Sequence, residues 1–275
     1  MMIRANNALL VLVPLFYMAA FLAYRARLGA RRTRRFNRPI HVLGAALLLH
    51  LSLIVVRGAL IGQAPWTTYY DTFSALAFLM TLTYALVEVS CRNASTGYDF
   101  LPVPFALIVY STAFGPHVPR QNPLLDSDFF IMHTVPAIGG MASLLVGGFY
   151  GSLYLRLARA MQQKRFGGLY ERLPDMETLA RMNYAALAVG FVLVTAAIGW
   201  GASWYGDVFQ QVDITQPKIA FTLVIWLILF VPVVGRFFRS WSDRWTALSS
   251  VVVMILVGLT ILLSMLPVTG FHGHR

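Results

Sequence analysis

Eight apolar runs separated by short polar and basic segments set the pattern of this chain. They are Asn7 to Tyr24, Ile40 to Gly62, Thr72 to Glu88, Tyr98 to Phe114, Phe129 to Tyr154, Tyr184 to Tyr205, Ile219 to Val234, and Ala247 to Leu266. An α-helix rises about 1.5 Å per residue, and roughly 20 mostly apolar residues cross the hydrocarbon core of a bilayer. Helices also satisfy their backbone polar groups internally, which a bilayer demands. The expected fold is therefore all-α, a polytopic membrane helix bundle of about eight transmembrane helices. The fourth run is the weakest, because it is short and carries Pro102 and Pro104. Without it, every later loop would change sides.

The basic residues test that topology, since short cytoplasmic loops collect Lys and Arg. With eight spans and an outside N-terminus, seventeen of the 22 Lys and Arg residues fall inside: Arg25, Arg27, Arg31, Arg32, Arg34, Arg35, Arg38, Arg92, Arg156, Arg159, Lys164, Arg165, Arg172, Arg181, Arg236, Arg239 and Arg244. Only Arg4, Arg57, Arg120, Lys218 and Arg275 lie outside or at the outer end of a span. Dropping the fourth span would put the dense cluster after span five on the wrong side. The expectation is eight spans with both termini outside. The first run precedes RARLGARRTRRFNR rather than a small-residue cleavage site, so it reads as an anchor and not a cleaved signal.

Composition narrows the class. Of 275 residues, 58% are hydrophobic and 12% charged, with a mean hydropathy of +0.66. Soluble domains carry about 25% charged residues, so a soluble enzyme, a disordered chain and a coiled coil are excluded. The net charge of +11 sits beside the apolar runs, where it meets anionic lipid rather than nucleic acid. The single cysteine, Cys91, excludes a disulfide framework, a CxxC redox pair and a CxxCH haem-attachment site. The longest cytoplasmic loop, Arg156 to Asn183, reads as two short interfacial helices, the second starting near Asp175.

Candidate chemistry gathers at the outer face. His117, His133, His272 and His274 all map there, whereas His41 lies near the inner interface and His50 near the middle of span two. A buried histidine offers one donor and one acceptor, so His50 is either hydrogen-bonded to a neighbouring helix or a metal, haem or proton-relay group. Arg57 follows it at i+7 on nearly the same face. Trp200 and Trp204 share a helix face at i, i+4, with Tyr205 beside them. They fit either an interfacial aromatic belt or a shelf for a flat cofactor. Histidines for axial ligation, aromatics to cover a macrocycle and a few cations for propionates allow haem without requiring it. Gly147 and Gly151, with Gly139, Gly140 and Gly148 nearby, read as residues of close helix packing. There is no GxxxxGK[ST], HExxH or GxSxG, and no carboxylate pair within a span.

Three segments carry a resemblance. His50-Leu-Ser-Leu-Ile-Val-Val-Arg57, then Gly62, Pro65, Thr68, Tyr70, Asp71 and Thr72 before FSALAFLMTLTYALVE, are followed later by LDSDFFIMHTVPAIGGMASLLVGGFYGSLYL and by the closing TGFHGHR. The pattern resembles cytochrome c assembly proteins of the CcsA type, which include ResC-like, CcmC-like and HemX-like members. Residues 39 to 275 would be the family's membrane domain, with residues 1 to 38 an N-terminal anchor helix and basic cytoplasmic loop. Two departures stand out. The tryptophan-rich outer loop is replaced by Phe209-Gln-Gln-Val-Asp-Ile-Thr-Gln216-Pro217-Lys218, with only Pro217, Lys218 and the later Trp226 in register. Val234 stands where a family histidine would partner His50.

The resemblance implies a multi-pass protein of the bacterial cytoplasmic (inner) membrane that handles haem during cytochrome c biogenesis. His133 and His272, or His274 in its place, would be axial ligands. Trp200, Trp204 and Tyr205 would contact the ring, Arg120 or Lys218 would meet propionates, and His50 would be a further haem-binding candidate. The haem would be bound non-covalently, as in a b-type site. The expected partners are haem, a ResB-type membrane protein, apocytochrome c and the lipid bilayer, without nucleic acid. The chain alone is not expected to be an enzyme, since haem ligation would need the ResB-type partner. Two rivals remain at this stage: a haem-free structural or regulatory membrane subunit, and a small-molecule transporter using His50 and Arg57.

Overall fold

The computed structural model describes residues 2–29, 39–66, 68–115, 128–164, 167–209, 217–238 and 241–265. Ten helices and no strand occur among them. They are α1 (Met2–Gly29), α2 (Pro39–Ile61), α3 (Tyr69–Cys91), α4 (Gly97–Phe100), α5 (Pro102–Phe114), α6 (Asp128–Gln162), α7 (Leu169–Arg172), α8 (Met176–Phe209), α9 (Pro217–Phe237) and α10 (Asp243–Met265). Seven of these, all except α4, α5 and α7, are long and apolar enough to cross a membrane. The protein is an all-α, multi-pass membrane bundle.

The fourth apolar run folds as α4 and α5, and its prolines explain the division. Pro102 and Pro104 have no N–H to give to the preceding turn. Leu101 nevertheless keeps helical angles (φ −60°, ψ −25°), and the hydrogen bonds Leu101 N to Gly97 O and Phe105 N to Leu101 O carry the helical path through. Residues 97–114 thus rise about 27 Å at helical pitch. They run antiparallel to α3: Phe100 stacks on Tyr84 at 4.6 Å near one end, and Tyr110 stacks on Tyr70 at 5.7 Å near the other. This pair of short helices packs beside α1 and α3, where the fourth of the eight spans was expected.

The segment between spans five and six differs from its sequence expectation. Helix α6 continues to Gln162 and α8 begins at Met176, so the long helices project past their apolar stretches and only α7 is a short helix of its own. The start near Asp175 is the cap of α8. Asp175 accepts the Thr178 backbone N–H at 2.7 Å and its hydroxyl at 2.9 Å, satisfying donors that the first helical turn leaves open.

Small residues set the centre of the bundle, where α6 packs against α8 and α10. A Cβ on Gly140 would lie 2.7 Å from Val194 Cγ2, and one on Gly151 would collide with Ser250 Oγ. Asn183 ties the same three helices by donating to Gly147 O at 2.7 Å and to Ser250 Oγ at 2.8 Å. Around this centre lie an apolar core of α6, α8, α9 and α10 (Leu144, Leu187, Leu229 and Val253) and one of α1, α2, α3 and α5 (Val13, Ala46, Ala77 and Ile108). Leu48, Val55, Leu86, Val192, Leu227 and Leu262 point away from the bundle, as side chains solvated by lipid do.

Candidate functional site

Helix α2 ends near Gly62, whose φ of +70° favours glycine, and the chain turns back into α3 within a few residues. Thr68 caps α3: its Oγ1 accepts the Asp71 N–H at 3.2 Å and donates to Asp71 Oδ2 at 2.6 Å. The other Asp71 oxygen receives Arg57 Nε in a buried ion pair. Arg57 is 8% and Asp71 2% exposed. The residues of the α2–α3 motif therefore lock one corner of the bundle. Arg57 is paired to a carboxylate there.

Two turns back along α2, His50 is fully buried between α1, α2 and α3. Its Nδ1 lies 2.9 Å from Tyr17 Oη and its Nε2 3.0 Å from Ser74 Oγ, with Phe78 and Tyr17 presenting edges to the ring. A neutral imidazole has one donor and one acceptor, and these two hydroxyls occupy both. Tyr17 and Ser74 lie 33 and 24 positions away in sequence, and no local signal marked them.

His133 has a different environment. It lies in the first turns of α6, at the end of the bundle shared by the α2–α3 corner, and leans on the C-terminal half of α8. Its Nδ1 is 2.8 Å from the Ala197 carbonyl oxygen. A carbonyl only accepts, so Nδ1 carries a proton, and in the neutral ring Nε2 then keeps the lone pair. One turn further along α8, Gly201 provides the space for the ring, since a Cβ there would be 2.7 Å from His133 Nδ1 and 2.9 Å from Cε1. Trp200, adjacent to Gly201 in sequence, is 43% exposed. Trp204 and Tyr205 belong to the same helix, and Lys218 to the first turn of α9. The side chains of these three lie outside the description. Arg120, His272 and His274 fall outside the described residues altogether.

Among the described residues no group of three or more His, Cys, Asp or Glu is arranged to hold a metal ion. Haem ligation needs less, because the macrocycle supplies four nitrogens and the protein one or two axial groups. His133 fits the axial requirement: a neutral ring with Nδ1–H fixed to a backbone carbonyl is the usual arrangement behind a ligating Nε2. Trp66 offers a further polar group at this end of the bundle, as its buried indole N–H has no partner among the described residues.

A second buried polar group lies at the opposite end and escaped the reading of spans. Glu88, 5% exposed, accepts a hydrogen bond from Tyr24 Oη at 2.6 Å. Tyr84, stacked on Phe100, and Tyr150 pack beside it. A carboxyl inside an apolar run was the available signal.

The architecture and the oriented imidazole define a class: a multi-pass helical membrane protein with a histidine presented beside aromatic residues at one end. A family model described as "Cytochrome C assembly protein" matches residues 40–272. The chain belongs to that family. It is similar to the cytochrome c biogenesis protein CcsA of Parasynechococcus marenigrum (strain WH8102), at 26% identity over 258 residues, covering 85% of each chain. The CcsA proteins of Guillardia theta (22% identity, 73% of this chain and 74% of the relative) and Chlamydomonas reinhardtii (24% identity, 86% and 68%) are also similar.

Proposed function

We propose that this protein acts in cytochrome c biogenesis as a CcsA-like, system II component that binds and presents haem at the outer face of a bacterial cytoplasmic membrane. The observation that carries this reading is the His133 imidazole, whose Nδ1–H is held by Ala197 O so that Nε2 is available for iron. His133 and His272 are the axial pair in this proposal. Trp200, Trp204 and Tyr205 cover the ring, and Arg120 or Lys218 meets the propionates. Haem is the cargo, supplied for attachment to the cysteines of an apocytochrome c with a ResB-type partner. The chain's own contribution is to orient that cargo and keep water from its face.

His50 takes a separate part. With both nitrogens engaged by Tyr17 and Ser74, it pins the anchor helix α1 to α2 and α3, and we read it as structural rather than as an iron ligand. Residues 1–38 are accordingly an anchor fastened to the membrane domain of residues 39–275.

The test is cytochrome maturation in cells lacking the gene and carrying wild-type, His133→Ala or His50→Gln copies. The readout is covalent haem staining of c-type cytochromes. Staining restored by wild type and His50→Gln but not by His133→Ala supports the proposal. Full staining with the gene absent, or with His133→Ala at wild-type protein level, sinks it and favours a haem-free scaffold.

A further inference from the structure

We infer that Gly201 and Ala197 form a positioning cradle on α8 that fixes both the tautomer and the direction of approach of His133. The inference rests on the haem reading for its purpose, but its structural content stands apart from it. The two residues are one helical turn apart and so present one face of α8 to α6. Ala197 contributes its carbonyl oxygen at 2.8 Å. Gly201 contributes the absence of a side chain: a Cβ there would approach Nδ1 to 2.7 Å and Cε1 to 2.9 Å, distances at which something must move.

What moves is the imidazole. The contact atoms belong to the ring itself, at the free end of a side chain, so the ring gives way before the α8 backbone does. A methyl group at 201 therefore pushes His133 off the Ala197 carbonyl, and Nδ1 loses its fixed acceptor. The consequence is specific to ligation, because the tautomer that leaves Nε2 free is selected by that hydrogen bond. Gly199 supplies the internal control. It lies two residues away on the same helix, and a Cβ there meets no atom within 4 Å, so alanine at 199 changes helix propensity without touching the ring. Trp200 sits between the two glycines, which places the cradle beside the aromatic surface proposed for the macrocycle.

The experiment uses the full-length protein in detergent, with histidine ring nitrogens labelled with ¹⁵N, and has two readouts. Without haem, the two-bond ¹H–¹⁵N pattern of His133, assigned by its loss in His133→Gln, reports which nitrogen carries the proton. With haem added, the optical titration gives affinity and spin state. Wild type and Gly199→Ala are expected to show Nδ1–H, and Gly201→Ala to lose it. Haem affinity is expected to fall about 10- to 100-fold in Gly201→Ala, as for loss of a partner that orients a ligand. In His133→Gly, added imidazole is expected to restore the low-spin spectrum, and the further change Gly201→Ala to block that rescue. A Gly201→Ala protein that keeps both the Nδ1–H pattern and wild-type affinity overturns the inference. If the tautomer shifts in Gly201→Ala while no variant binds haem, the cradle stands and the haem reading fails.

Discussion

Replacing Asp71 by alanine removes the anion from a buried ion pair and leaves the Arg57 guanidinium without its carboxylate in a setting only 8% exposed. Breaking a buried pair by removing one partner costs about 3–5 kcal/mol. The Thr68 hydroxyl, which donates to Asp71 Oδ2 at 2.6 Å, loses its acceptor as well, worth about 1 kcal/mol more. Removing both charges, as in Arg57→Met with Asp71→Leu, leaves no uncompensated ion and fills most of the same volume. Its cost is expected to fall well below the sum of the single substitutions, with a coupling of about 2 kcal/mol or more. The assay is reversible unfolding of the detergent-purified protein in increasing SDS, followed by circular dichroism, for wild type, both single variants and the double variant. Effects that add to within about 0.5 kcal/mol would refute the view that Arg57 and Asp71 act as one unit closing the α2–α3 corner.

Other consequences follow from single contacts. Tyr17→Phe removes one of the two hydroxyls on His50 and should destabilise the bundle by about 1–3 kcal/mol in the same SDS unfolding assay, with no change in any haem spectrum; a spectral change would reinstate His50 as a ligand. Gly151→Ala drives a methyl group into Ser250 Oγ and should cost about 1–3 kcal/mol by overpacking, whereas Gly44→Ala, with nothing within 4 Å, should unfold at or slightly above the wild-type SDS concentration, since alanine favours the helix. The two hydrogen bonds from Thr178 hold the Asp175 carboxyl below the usual carboxylate range, the backbone N–H contributing most. A depressed carboxyl stabilises above its unfolded value, near pH 3.9, and loses that contribution as pH falls through its folded value. Asp175→Ala should therefore cost about 1 kcal/mol at pH 7, and its deficit against wild type should shrink below about pH 4 in a thermal melt.

The large features of the fold were legible because a bilayer makes hydropathy and helix formation nearly the same question. Seven apolar runs each became one long helix, and the proline-bearing fourth run folded as α4 and α5 along α3. Helix ends were less legible. Hydropathy stops where lipid stops, but α6 runs on to Gln162 and α8 starts at Met176, because backbone hydrogen bonding continues once a helix has been nucleated. The α2–α3 motif was visible as residue types, whereas the reason for its Arg and Asp became visible only as an ion pair. His50 was visible as a buried polar group with two open readings. Its partners Tyr17 and Ser74 come from other helices, and choosing between the readings required their positions. His133 was visible as one of four histidines expected at the outer face, and resemblance to a family singled it out among them. The acceptor that fixes its tautomer is a main-chain carbonyl at Ala197, a group every residue possesses, so no pattern of side chains could announce it. Gly201 carried a faint signal as a small residue between Trp200 and Trp204.

An imidazole that presents its Nε2 to haem iron leaves its mark in the visible spectrum. Full-length protein purified from haem-replete cells, oxidised and then dithionite-reduced, is to be compared with His133→Ala and His272→Ala at equal protein concentration. A Soret band with low-spin, bis-imidazole features is expected in wild type, and its loss or conversion to a high-spin form in each variant. Wild-type protein that is colourless and stays colourless when haem is added, or a spectrum unchanged by both substitutions, would contradict haem ligation by His133.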